Sequence, residues 1–249
     1  MVSSVGGNGK ASAVTSSGAI LNFVDTFQAY DTSASNGVTT QSQSQFSFDW
    51  NSFSMTSQAG GNNSASAGNL NGVGGFSDPT LPLDSTGVSA QVNTSTTPQA
   101  GFGPVNRASA TAFKEVQLFN LVDEADFILN GALTPVAGSV DFSFNWSLQA
   151  TTGPTKLGDS PEAMVLLTID NPFDVALPGT LFEQLLASGQ RSGTFTYHMD
   201  LGANDFGFLS MTASAIGISL IPEPGALALV GVGLFGLAFA RRRRDQAGV

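Results

Sequence analysis

The chain has 249 residues, no cysteine and a formal net charge of −10. Disulfides and thiolate metal sites are therefore excluded, and the length suits one large domain or two small ones. Four of the nine basic residues are Arg241, Arg242, Arg243 and Arg244, leaving five basic against eighteen acidic groups before them; so acidic a body repels phosphate backbones and excludes nucleic acid as an expected partner.

Taken in chain order, residues 1–19 are rich in Ser, Gly and Thr, a composition expected to lack fixed structure. From residue 20 to 220 the pattern is mostly period two. Phe46, Phe48 and Trp50 alternate with polar residues, as do Phe142, Phe144, Trp146 and Leu148, and Phe195, Tyr197, Met199 and Leu201. Each stretch reads as a half-buried strand. Further strands are expected at residues 88–95, 108–122, 126–133, 163–170 and 206–219, with a long loop at 57–79. Thr180 and Glu183 stand as a capping box before Leu185, Leu186 and a stop at Gly189, which predicts one two-turn helix. Many short antiparallel strands and one helix imply an all-β sandwich, jelly-roll-like, over residues 20–220. FSFDWN and FSFNWS recur 96 residues apart, but nothing else aligns between the halves, so chance reuse of a good strand sequence is favoured over duplication.

The chemistry available to this body is sparse. His198 is the only histidine; the period places it on the polar face of its strand together with Asp200. A Ser-His-Asp site needs a third residue, and no G-x-S-x-G elbow occurs, so an exposed, inert histidine is expected. One histidine without cysteine also excludes the common zinc sites. Asp123, Glu124 and Asp126 cluster in VDEADF, read as a solvated acidic turn rather than a pair of hydrolytic carboxylates. Calcium, which needs only oxygen ligands, is the one cofactor the loops could hold: Asp170, Asn171 and Asp174 are the weak candidates, with Asn204 and Asp205 further on. Trp50 and Trp146 run in phase with phenylalanines and are expected inside, which removes them as sugar platforms.

The last 29 residues differ in kind. Pro222, Glu223 and Pro224 precede sixteen uncharged residues, 225–240, and then the four arginines. As a helix, residues 225–240 cover about 24 Å, short of the ~30 Å hydrocarbon core, a deficit that snorkelling arginines and modest bilayer thinning make up. Pro224 suits the first helical turn. The arginines orient the span with residues 241–249 inside and the body outside. That direction requires an export signal, expected upstream of Met1, because residues 1–20 hold no apolar segment of signal-peptide length. The spacing Gly231, Gly233, Gly236 matches the G-x-G-x-x-G fingerprint, but the preceding strand and later acidic residue that a dinucleotide site needs are missing. Close packing within a membrane explains these glycines better.

Pro-Glu-Pro, a short span and an arginine cluster in that order resemble the PEP-CTERM protein-sorting signal of Gram-negative bacteria. A tail of this type also goes by the label of an ice-binding protein C-terminal domain; the body has no regular Thr-x-Thr array, so ice binding is not inferred. The resemblance implies export, retention in the inner membrane and processing by an exosortase, often where exopolysaccharide and biofilm matrix are made. The expected function is accordingly a non-enzymatic surface or matrix protein in three parts: residues 1–19, a β-sandwich at 20–220 and a sorting tail at 221–249. The alternatives are a carbohydrate-binding module attached to exopolysaccharide and, third, a secreted hydrolase.

Overall fold

From Ser160 to Asp170 buried and partly exposed side chains alternate without a break, the two-residue period of a strand covered on one face. That period organises nearly the whole computed structural model, which describes residues 2–48, 54–59, 63–69, 86–95, 105–152, 160–172 and 178–220. The strands are β1 (Val2–Thr15), β2 (Ala19–Ser35), β3 (Thr40–Ser47), β4 (Ser54–Ala59), β5 (Asn63–Asn69), β6 (Thr86–Ser95), β7 (Val105–Asp123), β8 (Gly138–Thr151), β9 (Ser160–Asp170), β10 (Gly179–Leu185), β11 (Gly189–Leu201) and β12 (Gly207–Leu220). They form two six-stranded sheets, ordered β11-β8-β1-β6-β5-β4 and β10-β9-β12-β7-β2-β3. All pairings are antiparallel. The sheets stack, with β8 against β9, β1 against β12 and β9, β6 against β12 and β7, and β5 against β7 and β2. The expected all-β antiparallel sandwich is present.

Alanines line the middle of the core: Ala108, Ala110 and Ala112 on β7, Ala213 and Ala215 on β12, Ala90 on β6, and Ala65 and Ala67 on β5. Small side chains let the sheets approach closely. At Gly7 on β1, a Cβ would lie 2.8 Å from the carbonyl oxygen of Met164 and 3.2 Å from that of Ser214, both backbone atoms of the facing sheet. Other glycines lie beneath rings. A Cβ on Gly9 would collide with Phe144, one on Gly207 with Phe119 and one on Gly193 with Trp146. Missing side chains thus make room for the aromatics that fill the core.

Four expectations need correction. Residues 1–19 are not without structure: β1 is an interior strand of the first sheet, paired with β6 and β8. The predicted helix at Thr180 is the strand β10, whose Leu181 and Leu185 pack on the core. The helix lies instead at α1 (Glu124–Asn130), overlapping the predicted strand 126–133; the Asp123 side chain caps it and Gly131 ends it at φ 66°. The capping chemistry is local, but the vacant edge of β9 is not, and β10 completes that edge. Within the predicted loop 57–79, β4 ends at Ala59 and β5 runs from Asn63 to Asn69 as its hairpin partner.

The fourth correction concerns the aromatic strands. Phe142, Phe144 and Leu148 are buried and Trp146 packs against the core, as the period predicts. Phe46 and Phe48 face outward and are each 66% exposed, while Trp50 lies outside the described residues. Phe46 and Phe48 therefore stand at the margin of the second sheet, whereas Phe142 and Phe144 lie inside the first.

Candidate functional site

His198 projects from the outer face of β11, where its register partner on β8 is Asp141. The imidazole Nδ1 is 2.7 Å from Asp141 Oδ1 and Nε2 is 3.4 Å from Asp200 Oδ1. All three side chains are more than half exposed. The hydrogen bond to the Asp141 carboxylate raises the imidazole pKa above its ordinary value, and the Asp200 charge acts in the same direction. Both ring nitrogens face carboxylates, an arrangement that holds an imidazolium rather than one that aims a base at a hydroxyl.

As the chain's only histidine, His198 gives a single imidazole titration to follow by NMR. Its midpoint is expected above 6.5 and to fall back in Asp141→Asn. A folded pKa raised above the unfolded one stabilises the fold below pH 6.5, and the contribution is lost as pH rises through the folded value. An unshifted midpoint in both proteins would mean that the carboxylates do not hold the ring.

Below this group an open recess of about 670 Å³ is lined by Gly138, Ser139, Asn171, Asp200, Gly202 and Asp205, among others. Its oxygens do not converge. The Asn171 amide nitrogen donates to the Asp200 carbonyl at 3.1 Å, and Asp205 accepts from the Gly202 N–H at 2.8 Å to close a turn. Asp170 stays in the β9 register opposite Phe208, and Asp174 lies outside the described residues. No group of three or more His, Asp or Glu among the described residues is placed to hold a metal ion. The VDEADF carboxylates serve α1: Asp123 accepts from the Asp126 N–H at 2.8 Å, and Asp126 accepts from Thr134 Oγ1 at 2.8 Å.

The outer faces of the two sheets differ. On the first sheet one register row crosses all six strands as Gln190, Gln149, Gly6, Gln91, Ser66 and Thr56. The next row begins Ser192, Ser147, Asn8, Ser89. Side chains knit the rows, Ser147 Oγ to Asn8 Oδ1 at 2.9 Å and Thr194 Oγ1 to Asn145 Oδ1 at 2.6 Å. On the second sheet the matching row reads Phe46, Ala29, Phe113, Thr212, Leu166, Phe182. Phe27 there packs against Phe46, Phe48 and Phe113 at centroid distances of 6.3, 5.7 and 6.1 Å. One face is a polar plane of hydroxyls and amides, with Lys10 on β1 and the His198, Asp141 and Asp200 group at one end; the other carries an aromatic strip.

Between the sheets, under β2 and β7, lies a band of buried polar groups that the sequence reading did not single out. Tyr30 OH donates to Gln28 Oε1 at 2.8 Å, and Thr32 and Ser57 share a 2.8 Å hydroxyl contact. Asn63 Nδ2 donates to Asn106 Oδ1 at 2.9 Å. Lys114 is fully buried at the Gln28 end of this band, with Gln28 and Met211 as its register partners, and burial pushes its pKa down to about 8. The sequence carried a signal for it, since Lys114 falls in phase with the inward residues Ala108, Ala110, Ala112 and Val116.

β12 ends at Leu220, and residues 220–244 match the family model of the PEP-CTERM protein-sorting motif. The chain carries a PEP-CTERM sorting signal. It is a protein exported to the cell envelope or surface, and the resemblance read from Pro222, Glu223, Pro224 and the arginines is upheld. No curated protein and no solved structure matches the chain. The PEP-CTERM residues themselves lie outside the described residues, including Arg241, Arg242, Arg243, Arg244 and the expected span 225–240. Among the described residues no helix is long and apolar enough to cross a membrane. The attachment point is nonetheless defined. Only Ile221 separates Leu220 from Pro222, so the PEP-CTERM signal follows directly on a strand bonded to both β7 and β9. The His198 recess sits at the other end of the sandwich, where β12 begins, roughly 45 Å away at the rise of a strand.

Proposed function

We propose that this is a non-enzymatic surface or matrix protein whose jelly-roll-like body is exported, held transiently by its tail in the inner membrane and then processed by an exosortase. The match at residues 220–244, beginning at the last residue of β12, carries the reading. In this reading residues 225–240 partition into the bilayer, Arg241, Arg242, Arg243 and Arg244 hold the chain end on the cytoplasmic side, and Pro222–Glu223–Pro224 offers a non-helical stretch to the processing enzyme. The uncharged rows of the first sheet, from Gln190 to Thr56 and from Ser192 to Ser89, are the surface offered to exopolysaccharide, since hydroxyls and amides can hydrogen-bond sugars without the repulsion that an acidic face gives a polyanion. The His198 arrangement supports a role without catalysis, because both ring nitrogens are engaged by carboxylates.

The test is the intact mass of the native protein in membrane and culture-medium fractions. The released form is expected to lack residues 241–249 and most of the apolar run, while the membrane form keeps them. A released form that retains all four arginines would end the processing reading and leave only export.

A further inference from the structure

Every sheet edge offers a row of backbone groups to another chain, and proteins protect such edges with charge, short length or cover. Among the described residues, three of the four sheet edges follow that rule. β11 carries Arg191, His198 and Asp200, and Arg191 reaches across to β10, 3.6 Å from Glu183 and bonded to the Gln184 carbonyl. β4 is six residues long, and Gln41 of β3 caps its Gln58 N–H. β3 is the exception. Its sequence TQSQSQFS has no charge and no proline, seven of its eight residues are exposed, and it ends the second sheet. The exposed Phe46 stands on this strand and Phe48 just beyond it.

We propose that β3 is a self-assembly edge, pairing antiparallel with β3 of a second copy of this chain. The strand is complementary to itself. Centred on Ser44, a two-fold pair sets Phe46 opposite Ser42 and Phe48 opposite Thr40, so each ring covers a small side chain and the glutamines lie together on the other face. The local charge balance permits it even though the chain is acidic. Among the described residues the nearest carboxylate by register is Asp31, beside Ser44; the two copies of Asp31 would stand three strand spacings apart, about 14 Å and beyond the screening length. The exposed phenylalanines supply the apolar area that a charge-protected edge lacks.

The pair also has a direction. An antiparallel two-fold reverses β12 along with β3, so the two chain tails leave from opposite ends of the dimer. Under the proposed function, on which this step alone rests, two tails cannot then enter one bilayer, and pairing follows release of at least one copy.

The absence of cysteine makes the test direct. Ser44→Cys, Thr40→Cys and Thr194→Cys are made in the full chain, kept in detergent micelles where no bilayer fixes the tails, and treated with a short bismaleimide. Ser44→Cys is expected to cross-link at least tenfold faster than both others, because residue 40 of one copy lies about 27 Å from residue 40 of the other. Adding Gln43→Lys and Gln45→Lys should abolish the difference. Equal rates at all three positions overturn the proposal, and fast linking at both Ser44 and Thr40 overturns the antiparallel arrangement. Neither result depends on whether the tail is processed, so a failure here is separate from a failure of the sorting reading.

Discussion

Gly7→Ala is expected to destabilise the fold by about 3 kcal/mol, the upper end of the cost of inserting a methyl into a filled core. The reason is what the new Cβ would meet. At 2.8 Å from the Met164 oxygen and 3.2 Å from the Ser214 oxygen it would press on backbone carbonyls of the facing sheet, which have no rotamer to yield. Relief requires moving β1 from β9 and β12, opening the core along the alanine rows on either side. The control is one residue away. A Cβ on Gly6 points to the outer face, with the Ala90 oxygen at 3.5 Å as its nearest neighbour, an ordinary contact. Gly6→Ala is therefore expected to be neutral, or to stabilise by a few tenths of a kcal/mol through the unfolded chain. Urea midpoints for both variants decide the matter. Since a domain of this kind has about 5–15 kcal/mol in total, the Gly7 variant should melt visibly earlier. Equal midpoints would mean that the sheets do not touch at Gly7.

The same contact explains why β1 was hidden in the sequence. Its inward positions are Val5, Gly7, Gly9, Ala11 and Ala13, and its outward ones Ser4, Gly6, Asn8, Lys10 and Ser12. With glycine and alanine inward, the stretch shows no hydrophobic alternation and reads as unstructured, although its small residues are what the space requires. β9, with Val165, Leu167 and Ile169 inward, repeats large apolar side chains at period two and was legible. The helix and strand exchanged between residues 124–130 and 179–185 fail for a different reason. Both stretches carry helix-start chemistry, Asp123 with Asp126 and Thr180 with Glu183, and the deciding fact for the second is an unpaired edge of β9, which no local pattern reveals.

Legibility of the functional features divides along the same line. A sorting signal works as a linear string, so Pro222, Glu223, Pro224 and the arginines could be read directly. His198 and Asp200 could be placed on one face because they are two residues apart on one strand. Asp141 could not, since its position opposite His198 follows from the β8–β11 register, fifty-seven residues distant in the chain. For Phe46 and Phe48 the period was right and the side was wrong. β3 lies at the margin of the sandwich, where period two says that one face differs from the other but not which face finds cover.

Raising the pH from 8 towards 10 is expected to stabilise the fold, opposite to the usual decline under alkaline conditions. Lys114 is the cause. Burial holds its folded pKa at about 8 against 10.5 for the unfolded chain, so between those values the unfolded state binds the extra proton and unfolding free energy rises with pH. The slope for one proton is about 1.4 kcal/mol per pH unit, and the whole window is worth about 3 kcal/mol. A depressed lysine contributes fully above the unfolded value and loses its contribution as pH falls through the folded one. Tyr30 sets the upper limit of a clean measurement. Burial pushes its phenol above the ordinary 10.0, so above pH 10 its reluctance to ionise costs stability and opposes the lysine. Urea unfolding at pH 8.5 and 9.5 should therefore show a gain of about 1 kcal/mol, and Lys114→Met, unbranched and of similar length, should remove it. A flat profile in the parent would mean that the amine takes up its proton inside the fold without cost. A rise that survives in Lys114→Met would assign the titration to another group, leaving the buried lysine a bystander in the polar band of Gln28, Tyr30 and Asn106.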